Sequence, residues 1–189
     1  MIKNNIRRES YLKFLNTWKN RDLIKVLSGV RRSGKSTLLA MFQQDLKEQG
    51  VQDENIIAIN FEYMEFEELT DYRKLHDYVL SKVDKNKKNY VFLDEIQHVQ
   101  NFEKVVDSLY IRDYIDLYIT GSNAFFLSGE LATLLTGRYI EQHVLPLSFQ
   151  EFKQWHTENN PTIQQLSNRD LYAMYTRSSF PYTLAMTNQ

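Results

Sequence analysis

The octapeptide GVRRSGKS (residues 29–36) decides how the chain around it is read, because it matches the pattern G-x-x-x-x-G-K-[ST]. It follows the apolar run LIKVL (residues 23–27), which predicts a strand, and it precedes apolar residues at helical spacing that end before Gly50. The glycines let the backbone curl so that successive N–H groups point inward, and the following helix adds its positive dipole end. The octapeptide therefore predicts a phosphate-binding loop between a strand and a helix.

The loop and the first turn of the helix supply the predicted nucleotide contacts. Lys35 is expected to reach the β- and γ-phosphates, and the Ser36 hydroxyl is expected to ligate Mg²⁺. The side chains of Arg31 and Arg32 are expected to face solvent at the loop tip. The predicted nucleotide-binding residues of this segment are Gly29, Arg32, Ser33, Gly34, Lys35, Ser36 and Thr37.

Further apolar runs predict the rest of the sheet. Residues 56–59, 90–93 and 117–119 are short and unbroken, as in strands that are buried on both faces, and residues 139–145 predict a fifth strand. Helical patterns lie between them. This alternation predicts an α/β three-layer fold with a mostly parallel five-stranded sheet. Ser148 and Glu151 form a predicted capping box that opens a helical C-terminal segment.

A pair of acidic residues closes the strand in YVFLDEIQ (residues 90–97). Asp94 follows four apolar residues, the Walker B arrangement, and is expected to hold Mg²⁺ through its water shell. Glu95 would point to the other side of an extended chain, where it could align and deprotonate an attacking water. No guanine-reading N-K-x-D is present, since NKKN (residues 86–89) lacks the aspartate. Water is therefore the expected acceptor, and ATP the expected nucleotide.

Two other polar positions are candidates whose roles the sequence leaves open. Asn123, or its neighbour Ser122, follows the strand at residues 117–119 and would sense the γ-phosphate, unless the two form an ordinary turn. Arg138 follows Gly137 and would act at the nucleotide or as an arginine finger, in cis or in trans. Its alternative is a turn or interface residue.

The composition does not indicate several classes of partner. The net charge of −1 provides no field that would steer the protein onto nucleic acid or an anionic membrane. The chain has no cysteine, so it has neither disulfides nor thiolate metal sites. Its start carries charge but no apolar signal region, and a cytoplasmic protein with no membrane partner is expected.

Four stretches together carry a resemblance to bacterial and archaeal P-loop ATPases of the AAA superfamily: SGVRRSGKSTLL, FLDEIQHVQNFEKVVDSLY, YITGSNAFFLSGELATLLTGR and LPLSFQEF. The resemblance covers roughly residues 8–152. It implies an AAA-like core with strand order 5-1-4-3-2, ATP and Mg²⁺ as ligands, and the roles given above to Lys35, Ser36, Asp94 and Glu95. Such ATPases usually continue into a C-terminal domain. The resemblance therefore implies an ATPase domain over residues 1–150 and the start of a truncated helical region over residues 151–189.

These features predict Mg²⁺-dependent ATP binding and hydrolysis coupled to movement of a missing C-terminal domain, a protein partner or another macromolecule. One alternative is a nucleotide-dependent switch with negligible turnover. Another is a nucleic-acid motor, because DEIQ (residues 94–97) also resembles a helicase motif, although the charge of the chain does not indicate nucleic acid. A homo-oligomer is also open.

Overall fold

A computed structural model of the chain describes residues 6–121, 135, 137–159, 166–177 and 179–181. One parallel sheet organises it, with the strands in the order β2-β3-β4-β1-β5. The strands are β1 (Ile24–Ser28), β2 (Ile56–Asn60), β3 (Asn89–Asp94), β4 (Ile115–Thr120) and β5 (Tyr139–His143). This confirms the predicted fold class and the predicted strand order, which is the same order read from the opposite edge.

Helices cover both faces of the sheet. They are α1 (Glu9–Trp18), α2 (Lys35–Glu48), α3 (Tyr72–Lys82), α4 (Phe102–Tyr110), α5 (Phe149–Asn159) and α6 (Asn168–Arg177), with short 3₁₀ helices at Asp53–Asn55, Met64–Thr70 and Ile96–His98. Helices α1 and α2 pack on one face and α3 and α4 on the other. Among the described residues, none of these helices is both long and apolar enough to cross a lipid bilayer.

Strand β3 shows why the strands read as unbroken apolar runs. Tyr90 and Phe92 pack toward α1 and α2, whereas Val91 and Leu93 pack toward α3 and α4. Because successive side chains of a strand point to opposite faces, a strand covered on both sides needs apolar residues at every position. The central strands β1, β3 and β4 are accordingly buried throughout, while β2 and β5 at the edges are partly exposed.

A buried ion pair joins two of the central strands. Lys25 of β1, fully buried, pairs with Asp116 of β4 and donates a second hydrogen bond to the Arg21 carbonyl oxygen at 2.7 Å. Asp116 also accepts from the Asn20 N–H at 2.9 Å and the Tyr118 hydroxyl at 2.8 Å. Burial lowers the pKa of Lys25, and the carboxylate of Asp116 opposes that shift. With several donors on one carboxylate, the pair meets the condition under which buried charges are tolerated.

The C-terminal helices form a separate small core. The predicted capping box is present: the Ser148 N–H donates to Glu151 Oε2 at 2.7 Å, and the Glu151 N–H donates to Ser148 Oγ at 3.2 Å. Leu147, Phe152 and Trp155 pack there against residues of α6 and against the N-terminal Ile6. Helix α5 thus begins at Phe149, directly after Ser148, and Ile6, the first residue that the structure describes, packs in the same core.

Candidate functional site

The carboxyl ends of β1, β3 and β4 bring the predicted chemistry to one edge of the sheet. The phosphate loop (residues 29–34) leaves β1, Asp94 closes β3, and Thr120 closes β4. These strands are neighbours in the sheet and run in the same direction. Their ends therefore converge on the start of α2, where sheets of this type bind ligands.

Backbone conformation explains why the loop needs its glycines. Gly29 has φ +138°, and a Cβ atom there would lie 2.3 Å from the carbonyl oxygen of Val144, so no side chain fits. Gly34, with φ +98°, directly precedes α2. Arg32 adopts φ +68° between them, a conformation that costs free energy for any residue with a side chain. The loop is therefore held in a curled form that an ordinary turn sequence would not adopt.

Lys35 lies inside this curl rather than in solvent. It is 3% exposed, and its Nζ donates to the carbonyl oxygens of Gly29 at 3.1 Å and Val30 at 3.3 Å. The same Nζ lies 3.5 Å from Glu95 Oε1. The residue predicted to bind phosphate and the residue predicted to activate water are thus paired with each other.

Asp94 is oriented by three polar neighbours. The Asn60 amide donates to its Oδ2 at 2.8 Å, and the hydroxyls of Thr120 and Ser36 also hydrogen-bond to it. Burial raises the pKa of the Asp94 carboxyl, and the hydrogen bonds from Thr120 and Ser36 partly offset this. A hydroxyl and a carboxylate in contact at a helix start form an oxygen donor set of the kind that Mg²⁺ prefers. Ser36 and Asp94 therefore fit the metal role predicted for them.

Glu95 corrects one step of the sequence argument. Its backbone is left-handed, with φ 58° and ψ 49°, and not extended as expected. Its N–H donates to Thr120 Oγ1 at 2.9 Å, and its Oε2 accepts from the Gln97 amide at 2.5 Å. A cavity of about 430 Å³ opens beside it, lined also by Arg31, Phe61, Glu62, Gln97 and His98. The bend at Glu95, rather than strand alternation, separates its carboxylate from that of Asp94.

The remaining loop residues divide between surface and interior. Arg31 and Arg32 are exposed, and Arg31 pairs with Glu62 at 2.8 Å, whereas Ser33 is buried. Gly34 and Thr37 line a small cavity beside the loop that is closed by Ile6, Met41 and Pro181. The loop is therefore flanked by residues from both ends of the described chain.

Arg138 does not join this site within one chain. It directly precedes β5, and its carbonyl oxygen accepts from the N–H of Ile24, the first residue of β1. It thus lies at the amino ends of the parallel strands, one strand length or about 16 Å from the phosphate loop. Its guanidinium pairs with Asp107 and lies 5.9 Å from the ring centroid of Tyr110. A role in cis at the nucleotide is inconsistent with this position. The other open candidates, Ser122 and Asn123, lie outside the described residues.

The structure adds site residues that the sequence argument missed. Thr120 bonds to both acidic residues, Asn60 holds Asp94, and Gln97 holds Glu95. Thr120 and Asn60 are each the last residue of a strand. A polar residue at the carboxyl end of a buried parallel strand was therefore the available signal, and it applied to β2 and β4 as well as to β3.

Comparisons with known proteins agree with this geometry. A family described as "AAA domain" matches residues 21–153. An uncharacterized protein of Haemophilus influenzae is 44% identical over 183 residues, which is 96% of this chain and 45% of that protein. The chain thus spans less than half the length of this curated relative.

Two solved structures share the fold. A Walker-type ATPase of Pyrococcus abyssi superposes with a TM-score of 0.61 at 16% identity, covering 97% of this chain and 68% of that one. AMPPCP-bound DnaA from Aquifex aeolicus superposes with a TM-score of 0.62 at 12% identity, covering 95% of this chain and 59% of that one. At such identities the likeness concerns the fold alone. The family match over most of the chain goes further, and the resemblance seen in the sequence is confirmed: the chain belongs to the AAA domain family.

Proposed function

We propose that this chain binds ATP with Mg²⁺ and hydrolyses it. The observation that carries the proposal is the convergence of Lys35, Ser36, Asp94 and Glu95 at one edge of the sheet, with Lys35 3.5 Å from Glu95. Family membership and the P-loop fold support the choice of a nucleoside triphosphate as ligand.

Phosphate binding requires Lys35 to change partners. Its Nζ now bonds to the carbonyl oxygens of Gly29 and Val30 and pairs with Glu95. The phosphate oxygens of ATP are stronger acceptors for an ammonium group than carbonyl oxygens are. N–H groups of the loop and of the first turn of α2, together with the positive end of the helix dipole, would complete the anion site.

Mg²⁺ would be held by the Ser36 hydroxyl and by Asp94, and it would supply positive charge next to the phosphates. Asn60 and Thr120 fix the orientation of the Asp94 carboxylate. Such supporting contacts typically change metal affinity or activity by about 10- to 100-fold.

Glu95 is the proposed general base. Once Lys35 turns to phosphate, the Glu95 carboxylate loses its cationic partner and retains the hydrogen bond from Gln97. It then borders a cavity of about 430 Å³ in which an attacking water can be placed. A positioned base of this kind contributes about 10²- to 10⁴-fold to rate.

The test is Glu95→Gln, with Glu62→Gln as the matched control at the same cavity. Glu95→Gln is expected to abolish turnover and to bind Mg-ATP at least as tightly as the parent, because the amide no longer competes for Lys35. Glu62→Gln should leave turnover unchanged. Hydrolysis is measured as phosphate release and affinity by calorimetry. Parental turnover in Glu95→Gln would remove Glu95 from the mechanism.

Arg138 is proposed to act in trans, because within one chain it lies one strand length from the phosphate loop. This requires a homo-oligomer in which the guanidinium of one copy leaves Asp107 and reaches the site of the next. Two inactive variants, Arg138→Ala and Lys35→Ala, should then regain activity when mixed, since mixed assemblies contain one intact composite site. No recovery on mixing would exclude this arrangement.

A nucleotide-dependent switch is the second candidate, and the Lys35–Glu95 pair favours it. With its base held on Lys35 and Arg138 of the same chain paired with Asp107 away from the site, the chain could retain nucleotide and turn over negligibly. Nucleotide retained through gel filtration, with phosphate release only over hours, would indicate the switch. Several rapid turnovers would eliminate it. In either case we propose that occupancy is coupled to a further domain or a partner protein.

A further inference from the structure

Arg8 is a charged residue buried at the junction of three segments. It directly precedes α1 and is 4% exposed. Burying a guanidinium is unfavourable unless its donors are satisfied and its charge is paired. The partners of Arg8 therefore indicate what the burial achieves.

These partners lie far apart in the sequence and include the phosphate loop. Arg8 Nη1 donates to the carbonyl oxygen of Ser33 at 3.2 Å and to that of Leu145 at 2.8 Å. Nη2 donates to the Pro146 carbonyl oxygen at 3.3 Å. Nε and Nη2 donate to the two carboxylate oxygens of Glu151, at 2.8 and 3.2 Å. One side chain thus bridges the loop, the segment after β5 and helix α5.

Glu151 is itself committed to the start of α5. Its Oε2 also accepts from the Ser148 N–H in the capping box. Burial would raise the pKa of Glu151, but the hydrogen bonds from Arg8 and Ser148 outweigh burial and lower it. The carboxylate is therefore ionised and shared between the beginning of α5 and the guanidinium.

On the other side, Arg8 holds the peptide that precedes Gly34. The guanidinium binds the carbonyl oxygen of Ser33, whose peptide group leads into Gly34 and the start of α2. Holding this carbonyl restricts rotation of the peptide, and so limits the directions in which the Gly34 N–H can face an anion. Any shift of the loop would move this acceptor relative to Glu151.

We propose that Arg8 is a positioning residue that links the conformation of the phosphate loop to the start of helix α5. The inference rests on the proposed function, because it assigns the route by which nucleotide occupancy reaches the C-terminal helices. Linkage is reciprocal, so the position of α5 also changes nucleotide affinity.

The neighbouring Arg7 provides a matched control. It forms a bidentate pair with Asp45 of α2, at 2.9 Å for each bond, and its side chain is 49% exposed. Among the described residues, its hydrogen bonds reach Asp45 and Glu9, and neither residue belongs to the loop or to α5. Arg7→Met therefore removes a forked arginine pair adjacent to Arg8 without cutting the link.

The experiment compares Arg8→Met, Glu151→Gln, their double variant and Arg7→Met in the 189-residue chain. Amide hydrogen exchange is read at residues 29–37 without nucleotide and at residues 145–159 with and without Mg-ATP, and affinity is measured by calorimetry.

Glu151→Gln should raise exchange at residues 29–37 and weaken Mg-ATP binding by about tenfold, a typical coupling. Arg8→Met should have the same two effects. The double variant should bind Mg-ATP no more weakly than either single variant. Nucleotide-induced protection of residues 145–159 should persist in Arg7→Met and be lost in the other variants.

Parental exchange at residues 29–37 in Glu151→Gln would overturn the proposal. Glu151→Gln decides the question even if Arg8→Met fails to fold, because the glutamine oxygen still accepts from Ser148. Failure of the proposed function looks different: the parent then binds no Mg-ATP, while Glu151→Gln still raises exchange in the loop.

Discussion

Lys35 and Glu95 form an ion pair with Nζ and Oε1 3.5 Å apart, at the mouth of the phosphate loop. Lys35 is the first residue of α2 and Glu95 directly follows β3, and each is buried. The pair places a cation where phosphate would enter and at the same time occupies the proposed base. When Lys35 leaves Glu95 to bind phosphate, the Glu95 carboxylate becomes free to act as a base. Nucleotide binding would therefore also activate Glu95.

Removal of the Lys35 ammonium should abolish tight nucleotide binding. Lys35→Met is expected to weaken Mg-ATP binding by about 100-fold or more, near 2.7 kcal/mol, because a charge-assisted contact to phosphate is lost. Calorimetry measures the change. Lys47→Met, in the last turn of the same helix and paired with exposed Asp53, is the control and should bind as the parent does. Equal affinities for both variants would contradict the site.

Gly29→Ala should damage both the fold and the loop. The added Cβ would meet the Val144 carbonyl oxygen at 2.3 Å in a left-handed conformation, and a loss of about 3 kcal/mol in the free energy of unfolding is expected. At Gly50, where φ is +91°, an added Cβ would have no neighbouring atom within 4 Å. Gly50→Ala is therefore expected to cost only the conformational free energy of about 1 kcal/mol. Urea unfolding distinguishes them, and Mg-ATP binding should survive only in Gly50→Ala.

Thr120→Val should reduce turnover without unfolding the protein. The substitution keeps the shape of the side chain but removes the hydroxyl that bonds to Asp94 and to the Glu95 N–H. A fall in kcat of about 10- to 100-fold is expected from the lost orientation. Thr120→Ser keeps the hydroxyl and should retain most of the activity. If both variants turn over alike, the hydroxyl has no orienting role.

Lys25→Met should be strongly destabilising although it lies far from the phosphate loop. It leaves Asp116 buried without its cation, at an expected cost of about 3–5 kcal/mol in the free energy of unfolding. Neutralising the aspartate as well, in Lys25→Met with Asp116→Asn, should recover much of the loss. Lys87→Met breaks an exposed pair with Glu54 and should leave the free energy of unfolding nearly unchanged. A double variant no more stable than Lys25→Met would argue against this account.

His156 should make stability depend on acidity. Its ring is fully buried, neither nitrogen has a hydrogen-bond partner in the part of the chain that the structure describes, and burial lowers its pKa. As pH falls below about 6.5, the unfolded chain takes up a proton that the folded chain excludes, so stability is lost on the acid side. His156→Leu should flatten this part of the profile relative to the parent, because the ring that excludes the proton in the folded chain is gone. Denaturant unfolding at several pH values measures the effect.

The sequence predicted those parts of the molecule whose signal is local. An unbroken apolar run in Tyr90–Leu93 reflects burial on both faces, and the glycine spacing of the loop reflects a backbone that excludes side chains at Gly29. The capping box between Ser148 and Glu151 spans a single helical turn. Each of these features depends on a few consecutive residues, so the sequence pattern alone was enough to predict it.

What the sequence could not supply depends on distant partners. Arg8 lies 143 positions from Glu151, and Thr120 lies 26 from Asp94, so no local pattern joins them. The left-handed backbone of Glu95 is imposed by its surroundings, and strand alternation gave the wrong reason for its direction. The position of Arg138 could have been predicted from the sequence. A residue at the start of a parallel strand lies at the edge of the sheet opposite the carboxyl ends of the strands.

Ile6 and Pro181 line the same small cavity as Gly34, so both ends of the described chain meet at the rim of the loop. A Cβ on Gly34 would be only 3.4 Å from the Pro181 ring. Pro181, the last residue that the structure describes, therefore lies against the phosphate loop itself. A displacement of the loop at Gly34 would act directly on the Pro181 ring.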